Sequence, residues 1–213
     1  MSYVIYGARG SGSAIVELAC AAIGVEYELR DLDMRGKEQR SDGYTAINPR
    51  QKIPTLALDA GEYITESMAI VITLDERHRE AGLLPAPGSK ARAQALRWMA
   101  VMATEVYPIV EIIDYPQRFL PADAASEVVT ALGGRAKEIW AQRWLTIEAA
   151  VAGEPYLLEE GFSAADLYIA VLSRWDLEPA WRSEHLPRVE ALTAALRARP
   201  ALAETWARHF GQR

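Results

Sequence analysis

The sequence predicts an α/β domain over residues 1–80 followed by an all-helical domain over residues 90–213. Three observations carry this expectation. Strand-type runs bounded by turn residues fall within residues 3–65. A segment rich in proline and glycine, Glu80 to Ser89, reads as a linker. Beyond it strand signals vanish and helical periodicity takes over.

Tyr3-Val4-Ile5-Tyr6 is a β-branched and aromatic run and reads as a strand. Gly7 to Ser13 is a turn of small residues, and Ala14 to Ile23 is a helix with apolar positions at Ile15, Leu18, Ala19, Ala22 and Ile23. Ile53 precedes Pro54 and is therefore pushed toward extended backbone. Residues 55–58 and 61–65 read as two strands joined by a turn at Asp59-Ala60-Gly61. Glu66-Ser67 then opens a helical run from Met68 to Leu74.

In the second half, Lys90 to Pro116 carries helical spacing through Leu96, Trp98, Met99, Met102, Val106 and Val110, with Pro108 expected to bend or interrupt it. Ala124 to Val151 is a long helical stretch with Gly133-Gly134 as a weak point. Ala164 to Trp175 is almost wholly apolar and hence buried. Residues 187–198 and 200–210 form two last helices, separated by Pro200.

Composition bounds the function. Hydrophobic content of 50% suffices for a sizeable core. A formal charge of −6 argues against a general nucleic-acid binder. No apolar run is long enough for a membrane span, and the N-terminus goes from Met1-Ser2 into a strand without a signal-peptide pattern, so a cytoplasmic protein is expected. Cys20 stands alone, which excludes an internal disulfide, and its place within the first helix suits a small buried residue. His78, His185 and His209 lack metal-ligand spacing. Gly7, Gly10 and Gly12 hint at a dinucleotide loop, but Ile15 stands where the third glycine is needed.

Two features point to chemistry. The first N–H groups of a helix have no internal partners and carry the positive end of its dipole, so the run after Glu66-Ser67 can receive a carboxylate while Glu66 holds an adjacent amino group. Ser11 lies where a strand hands over to a helix, and its hydroxyl can donate to a thiolate there. Taken singly, the same residues are ordinary helix caps, and Pro54 simply shapes a loop.

The strand–Ser11–helix element, Ile53-Pro54 and Glu66-Ser67, in this order, resemble the glutathione S-transferase family. The resemblance covers nearly the whole chain. It implies a thioredoxin-like N-terminal domain ordered β-α-β-α-β-β-α, with Val25 to Leu29 as the second strand and an irregular second helix around Ser41 to Ile47. It implies a cis bond before Pro54 and glutathione bound by Lys37, Gln51, Lys52, Ile53, Pro54, Glu66 and Ser67. Lys37 or Lys52 would face the glycyl carboxylate; each is also an ordinary surface lysine. Gly161 to Asp166 looks like the family's capping box before a buried helix, with Asp166 structural rather than catalytic.

Ser11 would be catalytic, with Ser13 in reserve, and Tyr6, sharing strand parity with Val4, would pack. The turn is most similar to beta-like bacterial members, which place a cysteine where Ser11 stands and an asparagine and a histidine where Ala100 and Tyr107 fall. Tyr107 would line the electrophile pocket, or be a half-buried helix residue. The implied protein is a homodimeric transferase for detoxification. It takes glutathione as co-substrate, has no permanently bound cofactor and no metal, and stabilises the thiolate for attack on a small electrophile. A non-enzymatic ligand-binding or regulatory member, and a glutathione-dependent isomerase or dehalogenase, are the alternatives. Lowering a thiol pKa of about 8.5 by about two units requires only about 2.7 kcal/mol. A charge-assisted hydrogen bond of roughly 1.5–3 kcal/mol and a helix start worth up to about 1 kcal/mol are enough.

Overall fold

The computed structural model describes residues 3–59, 61–175 and 177–211. The expected turn residue Ala60 and the leading Met1-Ser2 lie outside them. The chain divides into two compact units, Met1–Ala86 with Ala195–Arg213, and Pro87–Ala194. The last helix therefore groups with the sheet, whereas the sequence reading assigned everything from 90 to 213 to one helical domain.

The first unit is the expected thioredoxin-like arrangement. It contains β1 (Tyr3–Gly7), α1 (Ser13–Ile23), β2 (Tyr27–Asp31), α2 (Asp42–Ile47), β3 (Thr55–Asp59), β4 (Glu62–Thr65) and α3 (Ser67–Arg77). The sheet order is β2-β1-β3-β4, with β1 parallel to β2 and antiparallel to β3, and β3 antiparallel to β4. Ile5 and Leu56 of the strands and Ile15, Leu18, Ile70 and Leu74 of α1 and α3 are fully buried and form its core. β2 starts two residues later than its apolar run suggests. Gly24, at φ 80°, ends α1 in a left-handed turn, and the N–H groups of Gly24 and Val25 return to the Cys20 carbonyl. Residues 24–26 thus finish the helix rather than begin the strand.

In the second unit lie α4 (Lys90–Val101), α5 (Tyr107–Asp114), α6 (Ser126–Ala150), α7 (Ala164–Leu172) and α8 (Pro179–His185). The helix α9 (Pro187–Arg197) crosses from this unit into the first at Ala195, and α10 (Pro200–Phe210) belongs to the first unit. Pro108 interrupts the helix as expected: residues Met102–Val106 widen into a π turn just before it, which absorbs the missing N–H. Gly133-Gly134 leave α6 unbroken over 25 residues, because α6 lies along α5 and tertiary packing outweighs the local propensity. The sequence reading missed α8; Pro179 looks like a breaker but sits at the first helical position, where its missing N–H costs nothing. Every residue of α7 is buried. The capping box forms at its start, with the Asp166 carboxylate accepting the Ser163 N–H at 2.7 Å and the Leu157 N–H at 2.8 Å.

Candidate functional site

Strand register brings the sequence motifs to one end of the sheet. Tyr6 pairs with Thr55, and Thr55 pairs with Thr65. The turn that follows β1, the Ile53-Pro54 step that precedes β3 and the Glu66-Ser67 step that follows β4 therefore leave the sheet side by side. Neighbouring strands lie about 4.8 Å apart, so this row spans roughly 10 Å from β1 to β4, about the reach of three extended residues.

At the centre, the Ile53-Pro54 bond is cis. Two side chains hold this loop: Tyr44 Oη donates to the Lys52 carbonyl at 2.8 Å, and Asn48 Nδ2 donates to the same oxygen at 2.7 Å. Both also contact Thr55 Oγ1, at 2.8 and 3.2 Å. Among the described residues, nothing pairs with the backbone of Ile53, which stays available to an extended ligand. Gln51, at φ 56°, donates from Nε2 to Thr45 Oγ1 at 3.1 Å, which ties its side chain to α2. Lys52 and Lys37 are exposed; Lys37 sits at φ 60° in the loop after β2, which leaves the sheet at the same end.

On the β4 side, Glu66 takes φ 66° and ψ 111°, a sparsely populated conformation for a residue with a Cβ. Its carbonyl starts α3 by accepting the Ile70 N–H at 3.0 Å, but its carboxylate makes no cap. That carboxylate instead faces the Arg50 guanidinium at 3.6 Å, with both side chains more than half exposed. The capping role thus falls to the Glu66 backbone alone. Arg50 was not singled out by sequence, because nothing local marks an arginine in a polar loop as the partner of a residue two strands away.

On the β1 side, the two serines have different fates. Ser13 is wholly buried, and its hydroxyl donates to Glu17 Oε1 at 2.9 Å and accepts the Ala8 N–H at 3.2 Å. Gly7 makes this possible, since a Cβ there would lie 2.4 Å from Ser13 Oγ. The reserve candidate is therefore turned into the protein. Ser11 is half-buried; its hydroxyl donates to the Ala8 carbonyl at 2.7 Å and accepts the Ser13 N–H at 3.2 Å. Tyr6 packs, as expected: its ring lies 5.7 Å from that of Tyr44 and 6.4 Å from that of Tyr63, and burial raises its phenol pKa.

The last helix supplies residues that sequence reading passed over. Gly10 N–H donates to His209 Nδ1 at 3.0 Å, and Arg208 Nε reaches the fully buried Glu17 carboxylate at 3.1 Å. Elsewhere, Tyr107 begins α5 in the second unit, its ring edge-on to Trp175 at 5.1 Å. Cys20 is fully buried, and burial, with Glu17 nearby, pushes its thiol up to about 12. Iodoacetamide is expected to leave the folded protein unmodified and to alkylate it once unfolded; mass spectrometry of a native sample that shows the adduct would contradict this. Among the described residues no cluster of metal-ligating side chains occurs, and no helix is long and apolar enough to cross a membrane.

The chain is similar to several known proteins. Residues 1–76 match the family model of the glutathione S-transferase N-terminal domain. An uncharacterized GST-like protein of Escherichia coli, YncG, is 28% identical over 206 residues, covering 96% of this chain and 97% of that one. A maleylacetoacetate isomerase of Dictyostelium discoideum is 39% identical over 103 residues, about half of each chain (47% and 46%). A Sulfitobacter glutathione transferase homologue, solved with bound glutathione, superposes with a TM-score of 0.86 over 95% of this chain and 96% of that one, at 23% identity. The first 76 residues thus match the N-terminal-domain model of that family, and the chain shares its fold with the Sulfitobacter structure.

Proposed function

We propose that this protein is a glutathione transferase of beta-like frame that uses a serine where a cysteine is usual. The alignment of Tyr6, Thr55 and Thr65 carries the reading, because it sets a hydroxyl at a helix start, an unpaired extended backbone and an acidic helix entry in one row of tripeptide length. Glutathione lies along this row. Its cysteinyl backbone pairs with Ile53, and its γ-glutamyl ammonium meets Glu66. Its α-carboxylate meets the start of α3 at Ser67, beside Arg50, so an acid and a base 3.6 Å apart face a zwitterion of opposite sense. Lys37 and Lys52 are assigned to the glycyl carboxylate. Tyr107, beside Trp175, is assigned to the electrophile, and the active species is a homodimer.

Ser11 supplies the donor for the thiolate. To do so its proton turns from the Ala8 carbonyl to the sulfur, while its oxygen keeps the Ser13 N–H, which makes the hydroxyl a better donor. Because one hydrogen bond is exchanged for another, its net effect falls at the lower end, about 1.5 kcal/mol. Ser11→Ala is expected to raise the thiol pKa of bound glutathione by about one unit, read from thiolate absorbance against pH. An unchanged titration rejects Ser11. Failure of the wild-type protein to bind a glutathione resin favours the non-enzymatic reading instead.

A second reading has a specific support, the similarity of about half of the chain to the Dictyostelium isomerase. Addition of the thiolate to an unsaturated keto acid, bond rotation and elimination would regenerate glutathione. Product analysis with maleyl-type keto acids separates the two: an isomerised product with no net glutathione consumed assigns isomerisation.

A further inference from the structure

Ser11 sits in a turn whose neighbours are tied to the other end of the chain. Arg9 Nη2 donates to the Gly211 carbonyl at 3.4 Å, and Gly10, at φ 72°, donates its N–H to His209 Nδ1 at 3.0 Å. On the far side of Ser11, the Ser13 hydroxyl is held by Glu17 Oε1. The other oxygen of that carboxylate lies 3.1 Å from Arg208 Nε and 3.0 Å from His209 Nε2. Arg208 extends to Asp31 at the end of β2, with Nη2 2.5 Å from Oδ1.

These contacts define states as well as distances. Gly10 N–H is a donor, so His209 Nδ1 carries no proton and the neutral ring holds its proton on Nε2. Nε2 approaches Glu17 Oε2 without hydrogen-bond alignment, so that contact is electrostatic. Glu17 is fully buried, and a carboxylate in that position needs a paired charge; Arg208 provides it from the last helix. None of these contacts reaches the Ile53-Pro54 loop. All of them converge on the residues that flank Ser11.

We infer that α10 is a latch on the Ala8–Ser13 turn, with His209 and Arg208 acting as positioning residues that hold Ser11 where its hydroxyl can meet the glutathione sulfur. This assignment rests on the glutathione reading above. Its mechanical half does not, since the latch consists of contacts among this chain's own residues. Hydrogen-bond catalysis tolerates little misplacement, so loosening the turn lowers thiolate formation while Ile53, Glu66 and Ser67 continue to bind the peptide.

The test uses His209→Ala and His209→Gln in the full chain, the second keeping a side-chain acceptor for Gly10. In ligand-free protein the Gly10 amide is expected to exchange at least about tenfold faster in H209A than in wild type, with part of the protection restored in H209Q. With glutathione and a model electrophile, H209A is expected to lower kcat about tenfold while KM for glutathione stays within about threefold, and H209Q to recover part of kcat. Unchanged Gly10 exchange in H209A overturns the latch. Parallel loss of glutathione affinity and kcat, without recovery in H209Q, overturns the positioning role. Wild-type protein that does not bind glutathione overturns the functional reading and this role together, and the exchange rate still decides whether the latch exists.

Discussion

Replacing Asp166 by alanine is expected to lower the free energy of unfolding by about 3–5 kcal/mol, the largest effect of any polar substitution considered for this chain. The Asp166 carboxylate is fully buried and accepts the backbone N–H groups of Leu157 and Ser163, one on each oxygen. Alanine leaves both donors buried without acceptors, at about 1–3 kcal/mol each, and removes the cap of a helix in which every residue is buried. Asp166→Asn keeps one acceptor and is expected to cost less.

The comparison with asparagine also has a pH signature. Burial pushes the Asp166 carboxyl up to about 6 from an ordinary 3.8, against the pull of its N–H donors. The folded state therefore binds this proton more tightly than the unfolded chain. The stability this group contributes is full below about pH 4 and falls as pH rises toward 6, by about 3 kcal/mol for a shift of about two units. Asparagine does not titrate, so the penalty of Asp166→Asn relative to wild type is expected to shrink between pH 4 and 6. Urea unfolding of both proteins across that range checks it, and a penalty that grows with pH would contradict the assignment.

Glu66→Gly is expected to separate binding from stability. Loss of the carboxylate removes a charge-assisted contact of roughly 1.5–3 kcal/mol, so calorimetry should find glutathione bound about 10- to 100-fold more weakly. Glycine also accepts the backbone at φ 66° without the strain that a side chain meets there, so thermal unfolding should be unchanged or up to about 1 kcal/mol more favourable to the fold. Glu66→Ala should lose the same affinity without that relief. Undiminished affinity in both variants would remove Glu66 from the ligand's γ-glutamyl end.

What the sequence made legible and what it hid divide on one physical line. Tyr3 to Tyr6, the turn before α1, Ile53-Pro54 and the Ser163–Asp166 cap announce themselves because their causes are local: β-branching, a proline's restriction of its neighbour, a side chain reaching three residues back. The choice between Ser11 and Ser13 was not local. It turns on whether Gly7, on the preceding strand, leaves room for a hydroxyl beneath it. Arg50 beside Glu66 and His209 beside Gly10 are partners that only the closed fold makes neighbours, and no spacing rule reaches from residue 10 to residue 209. Tyr44, within the expected second helix, and Asn48, just after it, give no local sign that they hold the Lys52 carbonyl until the loop is seen folded back on them.

The membership of Ala195–Arg213 in the first unit has a consequence for biosynthesis. A ribosome emits the sheet first and the residues that tie the Ala8–Ser13 turn only after the Pro87–Ala194 unit. Until His209 and Arg208 emerge, the nascent sheet carries Glu17 without its countercharge. The sheet unit is thus completed only after the whole helical insertion, Pro87–Ala194, has been made.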